Sequence, residues 1–229
     1  MKKLIGFIVI LLLISQLVLP VYFSQQLEKS LSKKLESSQS LKVEVSSFPA
    51  LLMLTGRFQR VDLKGKELVV DRLRVAELEA KFSNIKLKST PDKEKGSRFV
   101  GDNKRLKLTF TEEDLENYLA DRLSSLQNII LNLGPKQTTL SGDFDLFGNR
   151  IKLKLGGKFK LETNQKLSFI PQDLMVAELR IPREIIKELM SEINLTLDLT
   201  KLPVPLQADK IKIKQDKLMI LGGVKEENV

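Results

Sequence analysis

From Leu4 to Phe23 the chain is apolar, broken only by Gly6, Ser15, Gln16 and Pro20. Twenty helical residues of this kind span roughly 30 Å, the thickness of a bilayer's hydrocarbon core. Lys2 and Lys3 precede the run, and the cytoplasmic bias of lysine puts Met1 inside and the remainder outside. A cleaved signal peptide would need small residues just before the cut; Leu17 to Phe23 offers none, and Ser24 alone is a poor site. Tyr22 and Phe23 suit an aromatic anchor at the interface. The pattern favours an uncleaved anchor over 1–23, with cleavage as the alternative.

Beyond the anchor the period changes several times. Leu27, Leu31 and Leu35 stand four apart between Ser24 and Gln39, which predicts a helix with one buried stripe. Leu41, Val43 and Val45 then alternate with polar residues and predict a strand. Phe48 to Leu54 is a continuous apolar run closed by Thr55-Gly56. Strands are predicted over 57–63, 67–70, 73–78 and 81–87, with Gly65 in the first turn. Residues 89–103, with Pro91, Gly96 and Gly101, read as a loop that would divide the body into halves 24–90 and 104–222.

The second half opens on an alternating strand, 104–110. Thr111 then caps a helix, with Asp114 at the capping-box position and Leu115, Tyr118, Leu119, Leu123 and Leu126 on one face. Short strands over 129–133, 137–140 and 143–147 are punctuated by Gly134-Pro135, Gly142 and Gly148. The clearest signal follows: Ile151, Leu153, Leu155, Phe159 and Leu161 share one face, and Lys152, Lys154, Lys158 and Lys160 the other, with a bend, bulge or turn at Gly156-Gly157. Strands over 167–170 and 174–179, a helix opened by Pro182, a strand at 195–199, an extended 202–206 connector and a hairpin over 210–221 complete the body. Residues 223–229 form a polar tail. Many strands and few helices, segregated rather than alternating, predict an α+β fold.

The chain has neither cysteine nor histidine. Disulfides, thiolate sites and the commonest general base are therefore excluded, and with them most hydrolase and zinc-site chemistry. No glycine-rich phosphate loop or nucleophile elbow appears, and no cofactor is expected. Asp143-Phe144-Asp145 is the best handle for carboxylate or cation chemistry, yet Phe147 and Lys154 spoil the calcium-loop template and a turn followed by a strand explains the segment. No catalytic constellation is found.

The formal charge is +9, which suggests an anionic partner. Export argues against nucleic acid and leaves an anionic membrane surface or an anionic cell-wall polymer. Lys210, Lys212 and Lys214 form a second basic row beside Lys152, Lys154, Lys158 and Lys160. Such rows are commonly a solvated sheet face with guarded edges; beside an anionic bilayer each lysine is also worth about 1 kcal/mol. The apolar faces are ordinary core unless the sheet curls around a groove.

In order, these features resemble the LmeA-like phospholipid-binding family of bacterial cell-envelope proteins. The resemblance rests on the exported N-terminus, Phe48-Pro49-x-Leu51 leading to Gly56, and Phe110-Thr111-Glu112-Glu113-Asp114-Leu115. It extends to Phe169-x-Pro171, Ile181-Pro182, Asp198-Leu199-x-x-Leu202-Pro203-x-Pro205-Leu206 and a final hairpin to Gly222. It implies a tubular lipid-binding-like fold, a curved antiparallel sheet wrapped around two or three helices, and phospholipid as partner. On that basis Phe48, Leu51, Leu52, Leu54, Phe58, Leu115, Leu119, Ile151, Leu153, Leu155, Phe159 and Leu161 are expected to form the apolar wall, with the two lysine rows toward headgroups. The rival expectation is a tethered scaffold for envelope-assembly proteins, without a lipid cavity.

Overall fold

The computed structural model describes residues 2–88, 98–100, 104–122, 126–146, 149–176, 179–181, 196–202, 207–214 and 216–223. The helix expected from Pro182 and most of the 202–206 connector lie outside these.

Helix α1 (Lys2–Ser32) joins the predicted anchor and the stripe behind it into one rod that runs through Pro20. It stops well short of Gln39, because the next residues pair with a strand instead: Glu36 N–H donates to Val69 C=O, and Val69 N–H to Ser37 C=O. Leu35 still packs on the core from that extended segment.

Strands β1 (Ser40–Ser46), β2 (Arg57–Val70), β3 (Leu73–Lys88), β4 (Arg98–Val100) and β5 (Lys104–Thr111) follow, with a 3-10 turn η1 (Ala50–Thr55) between the first two. β2 and β3 are long strands, not the predicted short ones. They meet at Asp71-Arg72, both with positive φ as a two-residue primed turn requires. Gly65 therefore sits inside a strand, not in a turn. A Cβ there would lie 2.7 Å from Leu68 Cδ1, so glycine answers close side-chain packing.

Helix α2 (Glu112–Arg122) leads to β6 (Leu126–Leu133), β7 (Thr138–Leu146), β8 (Asn149–Thr163), β9 (Lys166–Val176), β10 (Leu179–Ile181), β11 (Thr196–Asp198), a turn η2 (Leu199–Lys201), β12 (Lys210–Lys214) and β13 (Lys217–Gly222). Leu126, assigned by its spacing to the helix, opens β6. Gly142, expected to end a strand, lies within β7, where a Cβ would come 2.8 Å from Leu126 Cγ.

The strands form two antiparallel sheets rather than one. The first has the order β1-β2-β3-β5-β13-β12, with β4 on β3; the second has β10-β9-β8-β7-β6, with β11 on β9. The sheets do not divide at the 89–103 loop, because β5 and the C-terminal hairpin complete the first sheet. A single apolar core runs through both, with Phe110, Leu167, Leu199, Leu218 and Ile220 fully inaccessible.

α2 joins the sheets, packing on β3, β5 and β6. Its capping box is formed: Thr111 N–H donates to Asp114 Oδ2 at 2.8 Å, and Asp114 N–H to Thr111 Oγ1 at 3.2 Å. Glu112 and Glu116 reach across and accept from Leu133 N–H and Leu131 N–H, each at 2.6 Å, satisfying the edge of β6. Asp114 is buried and lies 3.7 Å from Arg74 Nε. Asp114→Ala should therefore cost about 2 kcal/mol, the top of the range for a lost cap, read as a lower denaturation midpoint at unchanged slope.

A clasp closes the same end. Asp71, at the β2–β3 turn, takes Lys201 Nζ at 2.5 Å from η2 and Arg122 Nη2 at 3.1 Å from α2. The hydrogen bond from Lys201 is the chief reason the Asp71 carboxyl lies below the ordinary carboxylate range.

Candidate lipid-binding site

The alternation of β8 is realised as expected. Lys152, Lys154, Lys158 and Lys160 are exposed; Leu155 is buried; Ile151, Leu153, Phe159 and Leu161 are half-buried. β12 repeats the pattern, with Lys210, Lys212 and Lys214 outside and Ile211 and Ile213 half-buried. Leu153, Phe159, Leu161, Ile211 and Ile213 thus pack against the core with one part and leave the rest of their apolar surface open.

Where β8 faces β12 there is a cleft of about 160 Å³, open to solvent. Phe159, Ile211 and Ile213 give it an apolar floor. Gly134, Pro135, Lys136, Gln137, Thr138 and Lys158 also line it, and among the described lining residues there are two ammonium groups and no carboxylate. Thr138 is buried, and among the described residues its hydroxyl has no hydrogen-bond partner. Gln137 Nε2 donates to Asp173 Oδ2 at 3.1 Å and so closes over the strand at Gly156.

The floor depends on the β8–β9 bulge. The ladder pairs Gly156 with Asp173 and Gly157 with Pro171, so Gln172 is extra. Gly157 lets the Phe169 ring approach, and Phe169 then meets Phe159 edge to face at 5.4 Å. The cleft is thus a product of the glycine pair that the sequence marks as a bend.

The other expected wall residues lie elsewhere. Phe58 is buried beneath α1, its ring 5.5 Å from Phe23. Leu115 is buried on α2 and Leu119 half-buried beside it. Phe48, Leu51 and Leu54 point outward and are 74%, 41% and 63% exposed, so they line no interior wall. The reason is the turn they sit on: a 3-10 turn has three residues per revolution. Ala50 and Met53 therefore share the inward face, and Leu51 and Leu54 the outward one. Leu52 lies between. Asp143 accepts from Asn128 Nδ2 at 2.8 Å, as a strand-side structural residue would. The side chain of Asp145 is outside the described residues. Among these residues no group of three His, Cys, Asp or Glu is placed to hold a metal.

Lys136, Thr138, Ile211 and Ile213 were not among the expected site residues. The alternation of 210–214 was visible in sequence, but the strand it would face was not.

Two antiparallel sheets around a continuous core, a small open cleft that mixes apolar and cationic side chains, and an apolar helix long enough to cross a membrane agree with a lipid-binding protein. The model of the LmeA-like phospholipid-binding family matches residues 14–223, and the chain belongs to that family. No curated protein and no solved structure matches it. The match begins at Ile14, inside α1. The packing agrees: Leu19, Phe23, Leu27 and Leu31 all contact the core.

Proposed function

We propose that α1 holds the protein in the cytoplasmic membrane with Met1 inside. The body stands on the outer face and binds phospholipid for the upkeep of envelope lipid or lipoglycan. The acyl chain enters between β8 and β12, and the headgroup rests against Lys136 and Lys158. The protein acts by binding, not by catalysis. The observation that carries this reading is the half-buried apolar strip shared by two strands, with Lys136 and Lys158 beside it and no carboxylate among the described lining residues.

The cleft is smaller than the ≈ 300–1,000 Å³ of common small-molecule sites. It admits the first part of a chain, and a whole chain requires β12 to yield. Among the described strands β12 stands at the end of its sheet, joined to β13 alone. Each methylene brought out of water is worth about 0.8 kcal/mol, enough to drive a local opening.

The full chain purified in detergent tests the headgroup assignment. Lipid extracts should be enriched in anionic phospholipid over phosphatidylcholine. Reversing both rim charges with Lys136→Glu and Lys158→Glu removes at least about 2 kcal/mol of attraction and should cut that enrichment by tenfold or more. Unchanged headgroup selection would refute the rim.

A further inference from the structure

We infer that the η1 tip, carrying Phe48, Leu51 and Leu54, is sunk among the acyl chains of the outer leaflet beside α1. The inference rests on α1 spanning the bilayer, as proposed above, and it adds a second membrane contact made by the folded body.

The depth follows from where the tip is tied. Gln16 Nε2 donates to Ser47 C=O at 2.9 Å, and Gln16 Oε1 accepts from Ala50 N–H at 2.8 Å. Further along the helix, Ser24 Oγ accepts from Val45 N–H at 2.9 Å. β1 therefore runs back along α1, with Val45 level with Ser24 and Ala50 level with Gln16. Leu4 to Ser15 covers only about 18 Å of helix, against a hydrocarbon core of about 30 Å. A spanning α1 must use the residues from Gln16 to Phe23 as well, and these carry the tip down with them by roughly 10 Å.

The tip has the chemistry that such a position demands. Ser47 to Gly56 contains no charge. Backbone groups in hydrocarbon must be bonded within the protein. At the tip Phe48 N–H and C=O are both held by the Gln59 amide, Ala50 N–H by Gln16, Leu52 N–H by Pro49 C=O and Gly56 N–H by Met53 C=O. The same bonds satisfy Gln16, the most polar residue of the apolar run. Arg57, whose C=O accepts from Ser47 Oγ at 3.2 Å, stands opposite Lys86 at the level of Ser47, and both are exposed. Like charges in that register repel unless an anion lies between them, which lipid phosphates supply to side chains able to reach up from an apolar base.

The chain has no cysteine, so single reporters need no background changes. Bimane would be placed at Phe48→Cys, Leu51→Cys or Leu54→Cys, all exposed sites. Leu13→Cys reports on α1, and Lys66→Cys on the far body. The full chain is reconstituted in phosphatidylglycerol–phosphatidylcholine vesicles with or without acyl-chain spin-labelled lipid. Quenching at the three tip sites and at Leu13 should exceed that at Lys66 by about threefold or more, with blue-shifted emission, as for groups sunk several ångströms below the headgroups. Quenching at Leu13 with a tip no different from Lys66 would overturn the insertion and leave the anchor standing. A quenched tip with Leu13 unquenched would keep the insertion and remove the spanning helix. No quenching at either place would end both.

Discussion

Phe159→Asp should empty the protein of phospholipid while leaving it folded. Phe159 is half-buried at the floor of the cleft, opposite Ile211 and Ile213. In the free protein its replacement carboxylate reaches solvent through the cleft mouth, so the fold loses the edge contact with Phe169 and part of its core packing but buries no charge. With an acyl chain in place the same carboxylate is shut away among methylenes with no partner, which costs several kcal/mol. A penalty of about 3 kcal/mol already lowers affinity more than a hundredfold. Phospholipid co-purifying with the full chain should fall to the amount carried around α1 alone, while the cooperative unfolding transition persists. Leu155→Asp is the matched control on the same strand and face. Leu155 is buried, and an unpaired charge there should remove much of the roughly 5–15 kcal/mol that holds a domain together. If Phe159→Asp unfolds the protein as Leu155→Asp does, the position is plain core. If it folds and keeps its lipid, the acyl chain binds elsewhere.

What the sequence reveals here depends on whether a residue's period matches its surroundings. β8 is legible because Lys152 to Leu161 alternates on either side of Gly156-Gly157 and both faces keep that assignment in the fold. The capping box at Thr111 and Asp114 is legible because both partners lie within one turn of chain. Gly65 and Gly142 mislead because glycine marks turns and tight crossings alike. The crossing partners, Leu68 in one case and Leu126 in the other, are known only once side chains meet. The run Phe48 to Leu54 misleads in a different way. A continuous apolar segment has no period from which to read a face, so an outward tip and an inward wall look the same. The cleft itself was out of reach, because it needs β12, from the end of the chain, to lie against β8. Only the tertiary arrangement brings Ile211 and Ile213 to Phe159. Gln16 read as an interruption of the anchor for the same reason, since its partners at Ser47 and Ala50 lie some thirty residues on.

Two buried glycines in long strands should answer the same substitution very differently. An alanine Cβ at Gly157 would stand 2.5 Å from Ile170 C=O and 2.6 Å from Phe169 Cζ. One of these is backbone in the paired strand, and the other is a ring held by packing against Phe159. Neither can withdraw without opening the β8–β9 bulge. Gly157→Ala should therefore cost about 3 kcal/mol, the upper end for overpacking. In a chain of this size that lowers the melting temperature by roughly 6–12 °C. An alanine at Gly65 meets only the Leu68 side chain, at 2.7 Å to Cδ1 and 3.1 Å to Cγ. A leucine rotamer can move, and losing a glycine inside a strand recovers part of the cost, so Gly65→Ala should stay within about 1 kcal/mol of the parent. Thermal melts of the full chain in detergent compare the two directly. The lipid extracts carry the functional half of the test. Because Phe169 positions Phe159, Gly157→Ala should also lose bound phospholipid at temperatures where it is still folded, and Gly65→Ala should keep it. Equal melting temperatures for the two variants would mean that the bulge yields freely and does not set the floor of the cleft.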